Sequence, residues 1–421
     1  MNRDVRERAI DAGLPLMDFI LMRIKKLKEE TGISRTIFAV CPNSVSVIKT
    51  ALKAAKRWNA PVKFAATLNQ VDIDGGYTGL TQTEFVNTIR QFARSIHLEV
   101  PVIIAIDHGG PWLKDRHVIE KWSYEDTMAA VKKSFEEAIM AGYDLIHIDP
   151  TVDITLPKGK QIAIGTVVER TVELLLHAEN FREANGYPKI AYEVGTEEVH
   201  GGLADLATFT RFLDLLKKRL KEVQMEHVWP CFVVGKVGTD LHTTDFDPEI
   251  AGKLAEIAAQ YGSVIKGHYT DNVKNPQAYT LSGMGGANVG PEFTEREYDA
   301  LLELERIHDS LSFEGRIGRQ VHMKELLSKA VVDSGRWRKW MQPDEDQENF
   351  YANPPNRQEW LIKTGCRYIW EKPEIVAARY RLFENLKLQG IDAGSVVEAH
   401  IGRAMDKYFS AFNLVGLNSL L

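Results

Sequence analysis

Residues Thr127–Asp149, TMAAVKKSFEEAIMAGYDLIHID, join an amphipathic stretch with apolar residues at helical spacing, a glycine stop at Gly142, and a short apolar run, LIHI, that ends in an acid. Helix, glycine and β-rich run make one turn of a strand–helix repeat. The unit recurs along the chain. Short β-rich runs begin at Thr36 (TIFAV), Val62 (VKFAA), Val102 (VIIAI), Leu145 (LIHI), Ile190 (IAYEV), Cys231 (CFVVG), Ser263 (SVIKGH) and Ala278 (AYTLSGM). Amphipathic stretches such as SVSVIKTALKAAKRW, EFVNTIRQFARSI and PEIAGKLAEIAAQYG lie between them. Eight repeats predict an α/β fold, a (β/α)8 TIM barrel over residues 36–312, close to the roughly 250 residues usual for that barrel. A doubly wound open sheet is the competing reading. Residues 1–35 read as an N-terminal helical segment. Residues 313–421 read as a C-terminal helical extension rich in Trp and Arg, in which QPDEDQENFYANPPN is a long loop and the Trp/Arg mixture is core and salt-bridged surface.

The chain has 421 residues and a formal charge of −6. That balance argues against a nucleic-acid or anionic-membrane partner, because phosphate neutralisation needs a concentrated excess of Lys and Arg. Three widely spaced cysteines, Cys41, Cys231 and Cys366, imply neither a disulfide framework nor a thiolate metal site. The first apolar patch, Leu14–Leu21, is eight residues long and includes Asp18, too short for a membrane span. The expectation is a cytoplasmic protein acting on a small molecule, and a homo-oligomer.

In a barrel the loops at the carboxyl ends of the strands form the active site, so polar residues there converge although distant in sequence. The second strand end offers NQVDIDGGYTG with Asn69 and Gln70, the third Asp107 and His108, and the fourth His147 and Asp149. The fifth carries Glu193, Glu197 and Glu198; the sixth runs to His242; the seventh stops at His268 and continues to Asp271. Three imidazoles, His108, His242 and His268, with a glutamate suit Zn2+, or Mn2+, Co2+ or Ni2+, with open coordination positions. Asp107 would then move a proton on the bound substrate. His147, inside an apolar strand, reads as a structural histidine, and His117, His177, His227 and His308 read as surface residues. Gly283, Gly285, Gly286 and Gly290 allow the backbone to close on an anion, or form a merely flexible loop. Thr294 and Glu297 make a capping-box pattern. DIDGG at Asp72 reads as a turn, since it lacks the remaining acids of a calcium loop. Asn69, Gln70, Asp271, Gly286 and Asn288 are the candidate substrate-binding residues.

The motifs NQVDIDGGYTGLT, DHGGP, AGYDLIHID, GTEEVHGG and NVGPEFTERE, in this order, resemble the family named for the non-catalytic subunit of class II tagatose-bisphosphate aldolase. The resemblance implies a (β/α)8 barrel related to metal-dependent class II aldolases, among them ketose or ketose-phosphate 4-epimerases that interconvert fructose and tagatose configurations. On the class II pattern the Asp-His pair falls on Asp107, as acid/base, and His108, as ligand. The later ligand histidines fall on His242 and His268, and the glutamate ligand on Glu193 or, by the family's Gly-Thr-Glu, on Glu197. This chain departs from the family at Gly109, where relatives have Leu; at Asp149-Pro150-Thr151, where they have Asp-Ala-Ser; and at Asn288, where they have a Lys. The lost lysine weakens the case for a phosphorylated substrate.

The function expected is that of a metal-dependent ketose or ketose-phosphate 4-epimerase working by retro-aldol and aldol steps, with Asp107 or Asp149 taking the C4 hydroxyl proton and Glu193 in the catalytic group. One rival is the non-catalytic partner of an aldolase catalytic subunit. The other is a Schiff-base aldolase using Lys236 or Lys266, both within strands where desolvation can lower an amine pKa.

Overall fold

In the computed structural model, residues 3–157, 160–195, 202–318 and 320–421 are described. Eight parallel strands close into a barrel: β1 Ile37–Val40, β2 Val62–Thr67, β3 Val102–Gly109, β4 Leu145–Ile148, β5 Ala191–Gly195, β6 Phe232–Val234, β7 Val264–Gly267 and β8 Gly286–Val289. β8 completes the cylinder by pairing with β1, from Ile37 opposite Gly286 to Val40 opposite Val289. The fold is the (β/α)8 barrel, and the open-sheet alternative falls with the closure.

Seven strands lie on the β-rich runs read from the sequence. The eighth does not. AYTLSGM begins inside the short helix Gln277–Leu281, and the strand is GANV, eight residues later. Glycine there meets a packing need. A Cβ at Gly285 would stand 2.6 Å from Val264, and one at Gly286 would stand 3.0 Å from Phe232. These glycines bring β8 close to its neighbours, and of the four, Gly283, Gly285, Gly286 and Gly290, only Gly290 lines the cavity described below.

The capping pattern is also displaced. The helix after β8 starts at Pro291, with Gly290 as its N-cap. Thr294 and Glu297 are buried inside it, and Glu297 accepts from Ser44 Oγ at 2.6 Å and pairs with Arg379 at 2.7 Å. The cap comes from a distant loop, where Asp271 Oδ1 accepts the N–H groups of Gly290 (2.9 Å) and Glu292 (2.8 Å).

The helices Arg3–Asp11 and Leu16–Thr31 sit at the amino end of the barrel, where Arg6 reaches Asp144, just before β4, at 2.6 Å. At the other end the C-terminal extension folds back. Helix Ala393–Ala411 packs against Pro291–Phe313 and against Val45–Trp58, and the 3-10 turns Arg336–Trp340 and Cys366–Tyr368 come to the strand carboxyl ends. Among the described residues no helix is long and apolar enough to cross a membrane.

Candidate active site

Adjacent residues of a strand point to opposite faces, so Asp107 and His108 should not both face the barrel axis. A β-bulge removes the conflict. Ile106 pairs with Ile146 and Gly109 with Ile148, so Asp107 and His108 together oppose His147. His108 takes up the bulge at φ 48, a left-handed conformation costly for any residue but glycine. Its backbone N–H donates to His147 Nδ1 at 3.0 Å. The glycines that follow allow the bend. A Cβ on Gly109 would lie 2.5 Å from the Phe135 ring, and one on Gly110 would lie 1.9 Å from the Asp149 carbonyl oxygen. Where relatives were expected to place a leucine, this chain has Gly109 because Phe135 fills the space.

Below the strand ends the barrel axis carries charge. Lys63, Glu193, Lys266 and Asp107, from β2, β5, β7 and β3, are all buried. Lys63 Nζ donates to Glu193 at 3.0 Å and lies 4.7 Å from the centre of the Phe232 ring. Lys266 pairs with Glu193 and, at 3.3 Å, with Asp107. Two buried amines facing two buried carboxylates satisfy one another. Burial alone would lower the Lys266 amine, but Asp107 and Glu193 outweigh it and hold it above the ordinary lysine range. Its charge is matched by the two carboxylates. Glu193 lies beneath the cavity and is not among its lining residues.

Above this ladder Asp107, His108, His147 and His268 come together, each with one potential ligand atom within 4.8 Å of the others. Asp107 Oδ2 accepts from Asn288 Nδ2 at 2.9 Å, and Oδ1 lies 3.2 Å from His147 Nδ1 and 3.4 Å from His268 Nε2. Burial would raise the Asp107 carboxyl, but Lys266 and His108 outweigh it and hold it well below the usual carboxylate range. It is ionised at neutral pH. His108 Nδ1 bonds Asp149 Oδ2 at 2.5 Å, while Asp149 Oδ1 accepts from Thr151 Oγ1. Burial pushes the Asp149 carboxyl up, and His108 with Thr151 more than reverses this, bringing it to about 2. With both oxygens engaged, Asp149 is placed to orient His108, the arrangement that fixes a ligating imidazole from outside. Burial, then the neighbouring His108, pushes the His268 imidazole down to about 3, so it stays neutral. Buried and neutral, neither His268 ring nitrogen makes a hydrogen bond, nor does His147 Nε2. Orphaned imidazole nitrogens beside an ionised carboxylate fit a divalent cation of the N/O-binding kind.

One of the expected ligands is placed differently. His242 is exposed and is not brought to His108 and His268. After β6 the chain turns at Gly238, φ 96, into a two-residue antiparallel bridge of Val237–Gly238 with Gly202–Leu203. Asp240 then holds the His242 N–H in a tight turn, and the imidazole lies 5.3 Å from the Trp360 ring of the extension. The third imidazole at the strand ends is instead His147, which the sequence reading took for structural. Glu197 and Glu198 lie outside the described residues. His117 and His308, expected at the surface, are buried, His117 stacked on Trp122 and His308 bonded to Asn385.

A cavity of about 250 Å3 opens above this group. Asn69, Gln70, Asp271 and Asn288 line it, whereas Gly286 does not. The side chains of Asn69 and Gln70 are engaged with the backbone around them, Asn69 with Leu113 and Asp115, and Gln70 with Pro42 and Thr67. They shape the wall. Asp72 is bonded by Gln82, Ser134 and Lys114, as a structural turn requires. The far wall comes from the extension, through Arg336, Lys339, Trp340, Arg367 and Tyr368.

Burial pushes the Asp271 carboxyl up to about 7. A carboxyl near 4 in the unfolded chain and near 7 in the folded one binds its proton more tightly when folded, so stability falls as pH rises between those values and levels off above them. Asp271→Asn keeps the capping oxygen and stays neutral. Its denaturation midpoint is expected to gain on that of the wild type from pH 4 to 7 and to hold a constant lead above. A difference that does not change with pH would refute the assignment.

The sequence model for D-tagatose-1,6-bisphosphate aldolase subunit GatZ/KbaZ-like proteins matches residues 22–411. Among solved structures, a probable tagatose 6 phosphate kinase from Sinorhizobium meliloti 1021 has a TM-score of 0.74 at 22% identity, over 90% of this chain and 100% of that one. A fructose-bisphosphate aldolase from Campylobacter jejuni has a TM-score of 0.55 at 12% identity, over 95% of this chain and 94% of the other. At such identities the likeness concerns the barrel.

Proposed function

The chain belongs to the D-tagatose-1,6-bisphosphate aldolase subunit GatZ/KbaZ-like family, and from that premise we propose that it is a metal-dependent ketose 4-epimerase that opens and recloses the C3–C4 bond of fructose- and tagatose-type sugars. The observation that carries the reading is the convergence of Asp107, His108, His147 and His268 at the mouth of the barrel. A subunit that only stabilised a partner would have no use for buried imidazoles with orphaned nitrogens.

His108, His147 and His268 would hold the ion. Once bound, a divalent ion supplies Lewis-acid polarisation of the ketose carbonyl and its neighbouring hydroxyl. Asp107, ionised and fixed by Asn288, accepts the C4 hydroxyl proton as the C3–C4 bond breaks. The bonding pair stays on C3 and delocalises toward C2, leaving a three-carbon enediolate and an aldehyde. The aldehyde turns its other face, C3 attacks it, and Asp107 returns the proton to O4. The extension over the cavity keeps both fragments from water. Direct deprotonation at C4 is unattractive, since that carbon is β to the C2 carbonyl and its carbanion gains no enolate stabilisation.

The test uses the chain alone with C4-deuterated fructose and fructose 6-phosphate. Formation of the tagatose epimers with deuterium retained, abolished by chelator and restored by Zn2+ or Mn2+, is the expected outcome. Loss of the label to water would refute carbon–carbon cleavage. Activity that survives chelator and is trapped by borohydride would favour the lysine mechanism. The family's name, a subunit of an aldolase, supports a second reading as an accessory protein. Under it the chain alone would be inactive with either sugar and would raise the stability of an aldolase catalytic subunit.

A further inference from the structure

The C-terminal extension places three cations on the wall of the cavity, and one carboxylate, Asp115, pairs with two of them. Arg336 and Lys339 both pair with Asp115, Lys339 at 2.7 Å. The third, Arg367, is 6% exposed, and its Nε and Nη2 make no hydrogen bond. Among the described residues no carboxylate stands within ion-pair distance of it. Its guanidinium lies 4.7 Å from the centre of the Trp340 ring and 5.0 Å from that of Tyr368, while Arg336 lies 4.4 Å from the same Tyr368 ring. Stacked aromatics fix the planar fork and leave its edge free. Buried charged donors without acceptors are costly, and here they border a space that a ligand can enter. With Asp115 answering one charge, two remain, which matches a dianion better than a sugar carboxylate.

We propose that Arg367, flanked by Arg336 and Lys339, forms a subsite for the phosphate group of a ketose phosphate whose carbonyl end lies toward His108 and His268. The proposal rests on the reading of this cavity as a ketose site. It also accounts for Asn288. That position faces Asp107 at 2.9 Å, so the absence of a lysine there does not remove phosphate recognition, which comes from the extension.

The test is calorimetric titration of the full-length chain, with and without chelator, using inorganic phosphate, fructose 6-phosphate and fructose. Phosphate and fructose 6-phosphate are expected to bind in both conditions. Arg367→Met should weaken both by at least about tenfold, the usual worth of hydrogen bonds to a charged group, and leave fructose unchanged. Lys339→Gln, at a more exposed position, should weaken them several-fold and serves if Arg367→Met does not fold. Phosphate binding that disappears with chelator, or that neither variant weakens, would overturn the proposal, as would tighter binding of a hexuronate than of the phosphate ester. Phosphate binding at Arg367 without epimerisation would refute the epimerase reading and leave the subsite standing. Epimerisation of free fructose without phosphate binding would do the reverse.

Discussion

Asp107→Asn is expected to lower ketose epimerisation by about 10²-fold or more, the usual contribution of a positioned acid or base, while bound metal is retained. The substitution keeps the size of the side chain and one oxygen acceptor but removes the charge. In the wild type that charge is secured by Lys266 at 3.3 Å and by Asn288 at 2.9 Å. The neighbouring carboxylate cannot replace it without giving up another role, because Asp149 is engaged by His108 on one oxygen and by Thr151 on the other. Turnover and metal content, measured on one preparation, separate the possibilities. Near-normal turnover would move the base to Asp149. Loss of metal along with activity would make Asp107 a ligand.

The barrel was legible because its signal is additive. Seven of the eight strands lie on short runs rich in apolar, β-branched or aromatic residues, each followed by a helix with its own periodicity. The missed strand, GANV, has neither bulk nor β-branching except at Val289, and its place is fixed by neighbours that leave no room for a Cβ at 285 and crowd one at 286. The convergence of Asp107, His108 and His268 was legible, because it depends on strand ends. The site was not legible where it depends on backbone path. Nothing in AIDHGGP announces the bulge that turns two consecutive residues to one face, and nothing in LIHI separates an inward histidine with a free nitrogen from a satisfied one. His242 was misplaced for the same reason, since its strand ends at Val234 and the chain then leaves the barrel mouth. The cations of the extension look like any salt-bridged helical surface until Trp340 and Tyr368 place them over the cavity.

His268→Ala is expected to remove bound metal, with affinity for Zn2+ falling by more than the roughly 10- to 100-fold that follows loss of a group merely supporting a ligand, and His242→Ala is expected to change nothing. The contrast follows from placement. His268 is buried and neutral, with both ring nitrogens free of hydrogen bonds and Nε2 3.4 Å from Asp107, whereas His242 is exposed and lies against Trp360. His108→Ala should behave as His268→Ala does. Its ring is held through Nδ1 by Asp149, which leaves Nε2 for a ligand, and Asp149→Asn should then show the smaller, supporting loss. Elemental analysis after loading with Zn2+ and dialysis reads all four variants, and thermal unfolding monitors the fold. A His268→Ala protein that keeps its metal, or a His242→Ala protein that loses it, would mean that the ion sits in another part of the barrel mouth. The retro-aldol proposal would then lose the polarisation of the carbonyl that it needs beside Asp107.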